Sequence, residues 1–359
     1  MSSNTHVGKR ALIIGISGMA GNNIATELLS NGWTVHGLSR NPGHLIPGVN
    51  HIYGDVTDLG SVRKAITGVD IDTLFFCTWK RAPTEAEACI DNGAMLKNTL
   101  DALKTSKSLS HVVLITGLKH YLGPFEAYAK TPMDTPFHES QERLEIENFY
   151  YTQEDILFEA AEEQDLTWSV LRPHTMIGYA IGNVMNMGVT LAVYASICKE
   201  TGRPFVFPGS EEQYNGVIDI TDARLLGKHA LWCATSANAK NQAFNSCNGD
   251  VMRWRQTWKV IADWFGLDDP GYPEVASPLE PRMQDADAIW ENIVARHGLQ
   301  AHRASELASW WHTDGDLGRQ VETFADMGKS RRMEFKEVQV SFDSFTDLFE
   351  RLRHERIIP

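Results

Sequence analysis

The segment Gly15-Ile16-Ser17-Gly18-Met19-Ala20-Gly21 follows directly on the apolar run Ala11-Leu12-Ile13-Ile14. A helical pattern over 21–31 comes next, with Ile24, Ala25 and Leu28 on one face. A buried strand that turns through Gly-x-x-Gly-x-x-Gly into a helix leaves few folds open. The small residues let the backbone turn tightly and approach a pyrophosphate. The helix N-terminus offers amide donors and a partial positive charge. At the head of an alternating strand–helix pattern, the triplet reads as a dinucleotide site rather than a plain turn.

That alternation continues. Thr34–Leu38, Leu74–Cys77, Val112–Ile115 and Trp168–Leu171 read as further strands. Between them, 59–66, 84–105 and 152–164 read as helices, the last with Thr152 and Asp155 placed as a capping box. Repeated strand–helix links predict an α/β fold, a Rossmann-like doubly wound parallel sheet covered on both faces. Residues 1–173 are the expected dinucleotide-binding core. Residues 174–359 form a smaller, mostly helical substrate-binding part, with 215–248 returning to the core. In it, 205–207 and 217–220 read as strands, and 257–265 and 288–297 as helices. The Trp310-Trp311 pair reads as core packing, a pocket wall or a dimer contact. Ligands are expected over the carboxyl ends of the strands.

Composition narrows the function. A net charge of -13 repels phosphate backbones, so nucleic acid is an unexpected partner. No apolar run reaches the roughly 18 residues of a membrane span, and Met1–Arg10 is too polar and short for a signal peptide. A cytoplasmic protein without a membrane partner is expected, and a homodimer is allowed. The five cysteines show no Cys-x-x-Cys spacing and the 13 histidines no His-Glu-x-x-His, so buried free thiols and no metal site are expected.

The second strand ends in Ser39-Arg40-Asn41, where an NAD enzyme carries an acid for the ribose hydroxyls. An arginine without a carboxylate suits the 2′-phosphate of NADP. Asp55, followed by Val56, has two readings that stay open: a contact to the adenine amine, or a helix cap. The expected cofactor set is Gly15, Ser17, Gly18, Met19, Ala20, Gly21, Ser39, Arg40, Asp55, Val56, Thr78, Thr116 and Tyr150.

In such domains a Tyr-x-x-x-Lys pair does the proton chemistry. Here Asn148-Phe149-Tyr150-Tyr151-Thr152-Gln153-Glu154-Asp155 places acids four residues after each tyrosine. The nearest suitable lysine is Lys119, just past the fourth strand. A phenol has a pKa near 10 and needs a nearby ammonium to act at neutral pH. Hydride transfer leaves an alkoxide or enolate that needs a donor in place. Tyr150 or Tyr151, with Lys119, therefore forms the candidate catalytic pair. Periodicity does not separate the two tyrosines. The acids Glu154, Asp155, Glu162 and Glu163 read as a solvated helix face.

At these residues the chain resembles the progesterone 5β-reductase and iridoid synthase group of enone 1,4-reductases, within the extended short-chain dehydrogenase/reductases. The carriers are Gly117-Leu118-Lys119-His120-Tyr121-Leu122-Gly123-Pro124-Phe125-Glu126 and residues 148–155. Also similar are 166–173, Ala243-Phe244-Asn245 with Asn248-Gly249-Asp250, and Ile289-Trp290-Glu291-Asn292-Ile293-Val294. The resemblance implies NADPH, and it implies reduction of a carbon–carbon double bond conjugated to a carbonyl. It gives Tyr150 the catalytic role beside Lys119, and Arg40 the 2′-phosphate. Asn41 departs from the second arginine of plant members. Segments 121–145 and 174–195 are expected to line the substrate pocket. The expected reaction is hydride delivery to the β-carbon of an enone or enal, with the enolate held by Tyr150 and Lys119. The alternatives are an NAD-dependent sugar-nucleotide epimerase or dehydratase, opposed by Arg40 and the missing Tyr-x-x-x-Lys, and a non-enzymatic NADP-sensing regulator, opposed by retention of Tyr150 and Lys119.

Overall fold

The structure is a computed structural model that describes residues 8–41, 45–124, 127, 134–182 and 185–359. The first half runs β1 (Arg10–Ile14), α1 (Met19–Ser30), β2 (Thr34–Ser39), β3 (Asn50–Tyr53), α2 (Leu59–Ala65) and β4 (Thr73–Phe76). It continues with α3 (Glu85–Leu103), β5 (His111–Ile115), α4 (Lys119–Leu122), α5 (Phe149–Gln164) and β6 (Thr167–Pro173). Then come β7 (Met176–Ile177), α6 (Met187–Thr201), α7 (Glu211–Asn215), β8 (Thr221–Asp222), α8 (Ala223–Thr235) and β9 (Gln242–Ser246). The tail is helical: α9 (Trp254–Phe265), α10 (Leu279–Arg282), α11 (Ala286–His297), α12 (Ala304–Leu307), α13 (Trp310–Leu317), α14 (Gly328–Arg332) and α15 (Ser341–His354).

The main sheet has the order β3-β2-β1-β4-β5-β6-β9, and every pairing in it is parallel. Successive side chains on a strand alternate between faces. Leu12, Ile14, Leu74, Phe76, Val112 and Leu114 therefore pack on one side, against Val62, Leu96, Leu100 and Leu157 of α2, α3 and α5. Ala11, Ile13, Phe75 and Val113 pack on the other, against Ile24, Leu28, Leu226 and Ala230 of α1 and α8. This is the doubly wound Rossmann arrangement. Its order reverses direction between β1 and β4, which opens a crevice at the carboxyl ends of the strands.

A second core holds the C-terminal helices. Residues Met187–Cys198 of α6 are all buried, and Trp254, Trp258, Trp290, Phe205 and Phe207 pack into the same cluster. The expected strand at 205–207 is instead an irregular segment. Phe205 stacks on Trp258 with centroids 4.2 Å apart, and Trp258 Nε1 donates to the Phe205 carbonyl at 3.1 Å. The expected strand at 217–220 reduces to isolated bridges from Ile218 to Met252 and Thr323. Burial without a neighbouring ladder explains both misreadings. Helix α5 begins at Phe149, with Asn148 accepting from Tyr150 N–H at 3.0 Å, so Thr152 and Asp155 do not cap it. No helix of the described residues is long and apolar enough to cross a membrane, and all five cysteines are free.

Candidate active site

Apart from Tyr150 in α5, the expected cofactor residues lie at or just beyond the carboxyl ends of β1 to β5. Gly18 caps α1, and its N–H donates to Gly15 O at 3.0 Å. Gly15 sits at φ +84°, where a Cβ would meet Thr78 Cβ at 2.9 Å; on Gly21 it would meet Gly15 O at 2.3 Å. Ser17 is exposed beside this loop, while Met19 and Ala20 are buried. Ser39 closes β2 with its hydroxyl on the Asn41 carbonyl at 2.8 Å, and Arg40 is exposed next to it. Asp55 does not cap α2; Asp58 does, accepting from Gly60 N–H at 2.9 Å. Asp55 instead accepts from the N–H and hydroxyl of Thr57 at 2.9 and 2.8 Å. Those two bonds, with Arg40 and Lys80 nearby, hold its carboxyl below the usual range. The carbonyl of buried Val56 accepts from Asn98 at 3.0 Å, and the Thr116 hydroxyl donates to Leu171 O at 3.3 Å. This tight, glycine-built turn beneath a helix N-terminus fits a dinucleotide pyrophosphate.

A cavity of about 490 Å³ opens from this crevice. Met19 and Thr116 reach it from the cofactor set, and Tyr150 and Lys119 both line it. A Cβ on Gly117 would fall 3.2 Å from Tyr150 Oη and 3.1 Å from Pro173 O, so the glycine lets the phenol lie close against the end of β5. Asn148 ties the two segments together: its amide donates to Lys119 O at 2.9 Å while its oxygen accepts from Tyr150 N–H. Lys119 Nζ lies 4.4 Å from the centroid of the Phe149 ring. The rival Tyr151 is absent from the cavity wall. Its hydroxyl donates to His120 O at 2.5 Å and accepts from Leu144 N–H at 3.1 Å, and burial raises its pKa.

Sequence reasoning missed three parts of this site. The first is Glu85, which pairs with the Lys119 ammonium and accepts Phe149 N–H at 2.7 Å. The second is the rim from Trp79 to Thr84, after β4. The third is His312 and Asp316 of the α13 wall, beside Trp311, for which a pocket wall was one of the expected readings. The rim was findable, because loops after strands face the ligand in such sheets. Trp311 thus serves the pocket, with Arg81 over its ring at 4.2 Å, whereas Trp310 packs against the C-terminal core. Of the segments expected to line the pocket, Pro124, His174, Thr175, Met176, Met185 and Met187 do so. Residues 125–126, 128–133 and 183–184 lie outside the described residues.

Glu154 corrects the expected solvated acidic face. Its side chain is 2% exposed, and it bonds Arg172 at 3.2 Å and Arg143 at 2.9 Å, with His120 Nδ1 at 3.4 Å. Burial pushes its carboxyl up, but His120, Arg172 and Arg143 outweigh that and leave it at about 2. An acid thus sits one helical turn beyond Tyr150, locked into cations on the side away from the cavity.

Among the described residues, His174, Asp219 and Cys247 place possible metal-ligating atoms within 4.8 Å of one another. Two of its members are hydrogen-bonded to each other. His174 Nδ1 bonds Asp219, whose other oxygen accepts Ala325 N–H at 2.8 Å. Burial, reinforced by Asp219, raises the Cys247 thiol well above its ordinary pKa.

Comparison with known proteins agrees with this architecture. The 3-oxo-Delta(4,5)-steroid 5-beta-reductase of Arabidopsis thaliana is 37% identical over 97% of this chain and 93% of its own length. The (S)-8-oxocitronellyl enol synthase ISY1 of Nepeta racemosa is 39% identical, with the same two coverages of 97% and 93%. Among solved structures, the Bordetella bronchiseptica enzyme WbmG in complex with NAD superimposes with a TM-score of 0.68 at 14% identity, covering 99% of this chain and 97% of that one. At that identity the likeness concerns the fold alone. A PRISE-like Rossmann-fold domain is matched over residues 45–359, and the chain belongs to that family.

Proposed function

We propose that this protein is an NADPH-dependent reductase of carbon–carbon double bonds conjugated to a carbonyl. The observation that carries the reading is that Tyr150 and Lys119, from different elements, line one cavity with Met19 and Thr116 of the dinucleotide crevice. The steroid reductase and enol synthase relatives support the same reaction class.

NADPH, when bound, supplies a hydride to the β-carbon of the enone or enal. The substrate π electrons then move to the carbonyl oxygen, which becomes an enolate. Tyr150 donates its hydroxyl hydrogen bond to that oxygen as the charge grows, and the Lys119 ammonium stabilises the same region. A solvent proton at the α-carbon completes the reduction, so one π bond is replaced by two C–H bonds. Phe149, Trp79, Met176 and Met187 give the cavity apolar walls, which keep the local dielectric low and strengthen the donor. Arg40 takes the 2′-phosphate.

The test is oxidation of NADPH and of NADH with a small cyclic enone, a linear enal and a steroid enone. Substrate-dependent NADPH oxidation supports the reading; none across the panel ends it. Arg40→Ala is expected to raise the KM for NADPH by roughly 10- to 100-fold, the worth of one charged hydrogen bond, while leaving that for NADH unchanged. Equal effects on both cofactors would remove Arg40 from the 2′-phosphate site.

A further inference from the structure

Glu85 is the first residue of α3 and belongs to neither the glycine loop nor the tyrosine helix. Its carboxylate nevertheless joins both halves of the site. One oxygen pairs with the Lys119 ammonium, and the other accepts Phe149 N–H at 2.7 Å, one residue before Tyr150. Both members of the ion pair are mostly shielded, with side chains 16% and 13% exposed, and both line the cavity. Helix α3 fixes the carboxylate in turn. Thr84 and Glu87 form a capping box around its first turn, so the backbone that carries Glu85 is held by reciprocal bonds.

The other charged groups around the cavity are engaged elsewhere. Lys80 pairs with Asp91 at 2.8 Å, Arg81 lies over Trp311, and Asp316 pairs with Arg319. His174 bonds Asp219, and His312 completes the set. Glu85 is thus the carboxylate of the cavity wall that is paired with the lysine.

We propose that Glu85 is a positioning residue for double-bond reduction: it holds Lys119 over Phe149 and balances its charge, so that Tyr150 meets the substrate as a protonated donor. This rests on the reductase reading above and deepens it. A tyrosine that abstracts a proton from an alcohol profits from an unbalanced ammonium, which favours the phenolate. A tyrosine that only donates to a growing enolate must keep its proton, and a balanced ammonium suits that task. The pair of Lys119 and Glu85 gives this chain the second arrangement.

Removing the carboxylate charge leaves the Lys119–Tyr150 pair with a surplus positive charge, and the pair sheds its first proton at lower pH. In Glu85→Gln the alkaline limb of the kcat/KM profile for enone reduction should move down by roughly one pH unit, with kcat reduced about 10-fold or more. Glu85→Asp should restore the limb. In a Lys119→Met background, Glu85→Gln should have no further effect, because it acts through the lysine. An unmoved limb, or an equal loss in both backgrounds, overturns the inference. If the wild-type protein reduces no enone, the reductase reading fails, and a crystal structure of Glu85→Gln decides the positioning role alone. Lys119 Nζ still over the Phe149 ring would overturn that role; Nζ displaced from it would sustain it.

Discussion

Tyr150→Phe is expected to lower kcat for enone reduction by roughly 100- to 1,000-fold, equivalent to about 3–4 kcal/mol of transition-state stabilisation. NADPH affinity should stay near that of the wild type. The substitution removes one hydroxyl and leaves the ring, so the Phe149–Tyr150 edge contact, with centroids 4.5 Å apart, survives. The packing of the ring against Gly117 survives with it. The loss is confined to a donor whose partner oxygen carries charge only after hydride transfer, so it should appear in kcat more than in KM. Lys119→Met should lose less, because the ammonium acts through field rather than direct donation. Single-turnover kinetics with fluorescence titration of NADPH separate these terms. A Tyr150→Phe enzyme turning over within a few-fold of wild type would remove the phenol from the chemistry. Tyr151→Phe is the control: it breaks the bond to His120 O and should cost stability before rate.

The second large effect is on folding. Glu154→Ala is expected to destabilise the protein by about 3–5 kcal/mol, because it strands Arg172, 6% exposed, without its carboxylate. A chain of this length should lose ~5 °C in Tm. Asp155→Ala, one residue on, removes a side chain that is 64% exposed and should be nearly neutral. The pH dependence has a definite direction. Glu154 is depressed from 4.5 to about 2, so its contribution is complete above the unfolded value and fades as pH falls toward the folded one. Denaturant midpoints from pH 6 to pH 3 should therefore converge between wild type and Glu154→Ala. Parallel midpoints would show that the pairing carries no stability.

The sheet was legible where strands are buried on both faces. The runs at 11–14, 74–77 and 112–115 are continuous apolar segments, as a covered parallel sheet demands. Strand β3 was not, because Asn50–Tyr53 is a half-exposed edge with mixed polarity. Phe205–Phe207 misled for the converse reason: aromatic burial among helices mimics a strand in composition. The glycine turn and Arg40 could be named from their places after β1 and β2, and Lys119 and Tyr150 from the family resemblance. Glu85 and Glu154 could not, because their character comes from partners distant in sequence. Lys119 lies 34 positions from Glu85, and Arg172 lies 18 from Glu154. Alone, each reads as an ordinary surface acid of a helix.

The late position of β9 bears on how the chain is made. Its partner β6 ends at Pro173, and about 70 residues are synthesised before Gln242–Ser246 can pair with it. At ordinary ribosomal speeds that is ~4–15 s during which the nascent sheet carries an open ladder of amides and carbonyls. Over that interval Ser169–Pro173 can recruit a strand from a neighbouring polypeptide. Yield on expression should therefore depend on translation rate and chaperone supply more than the stability of the finished fold would suggest.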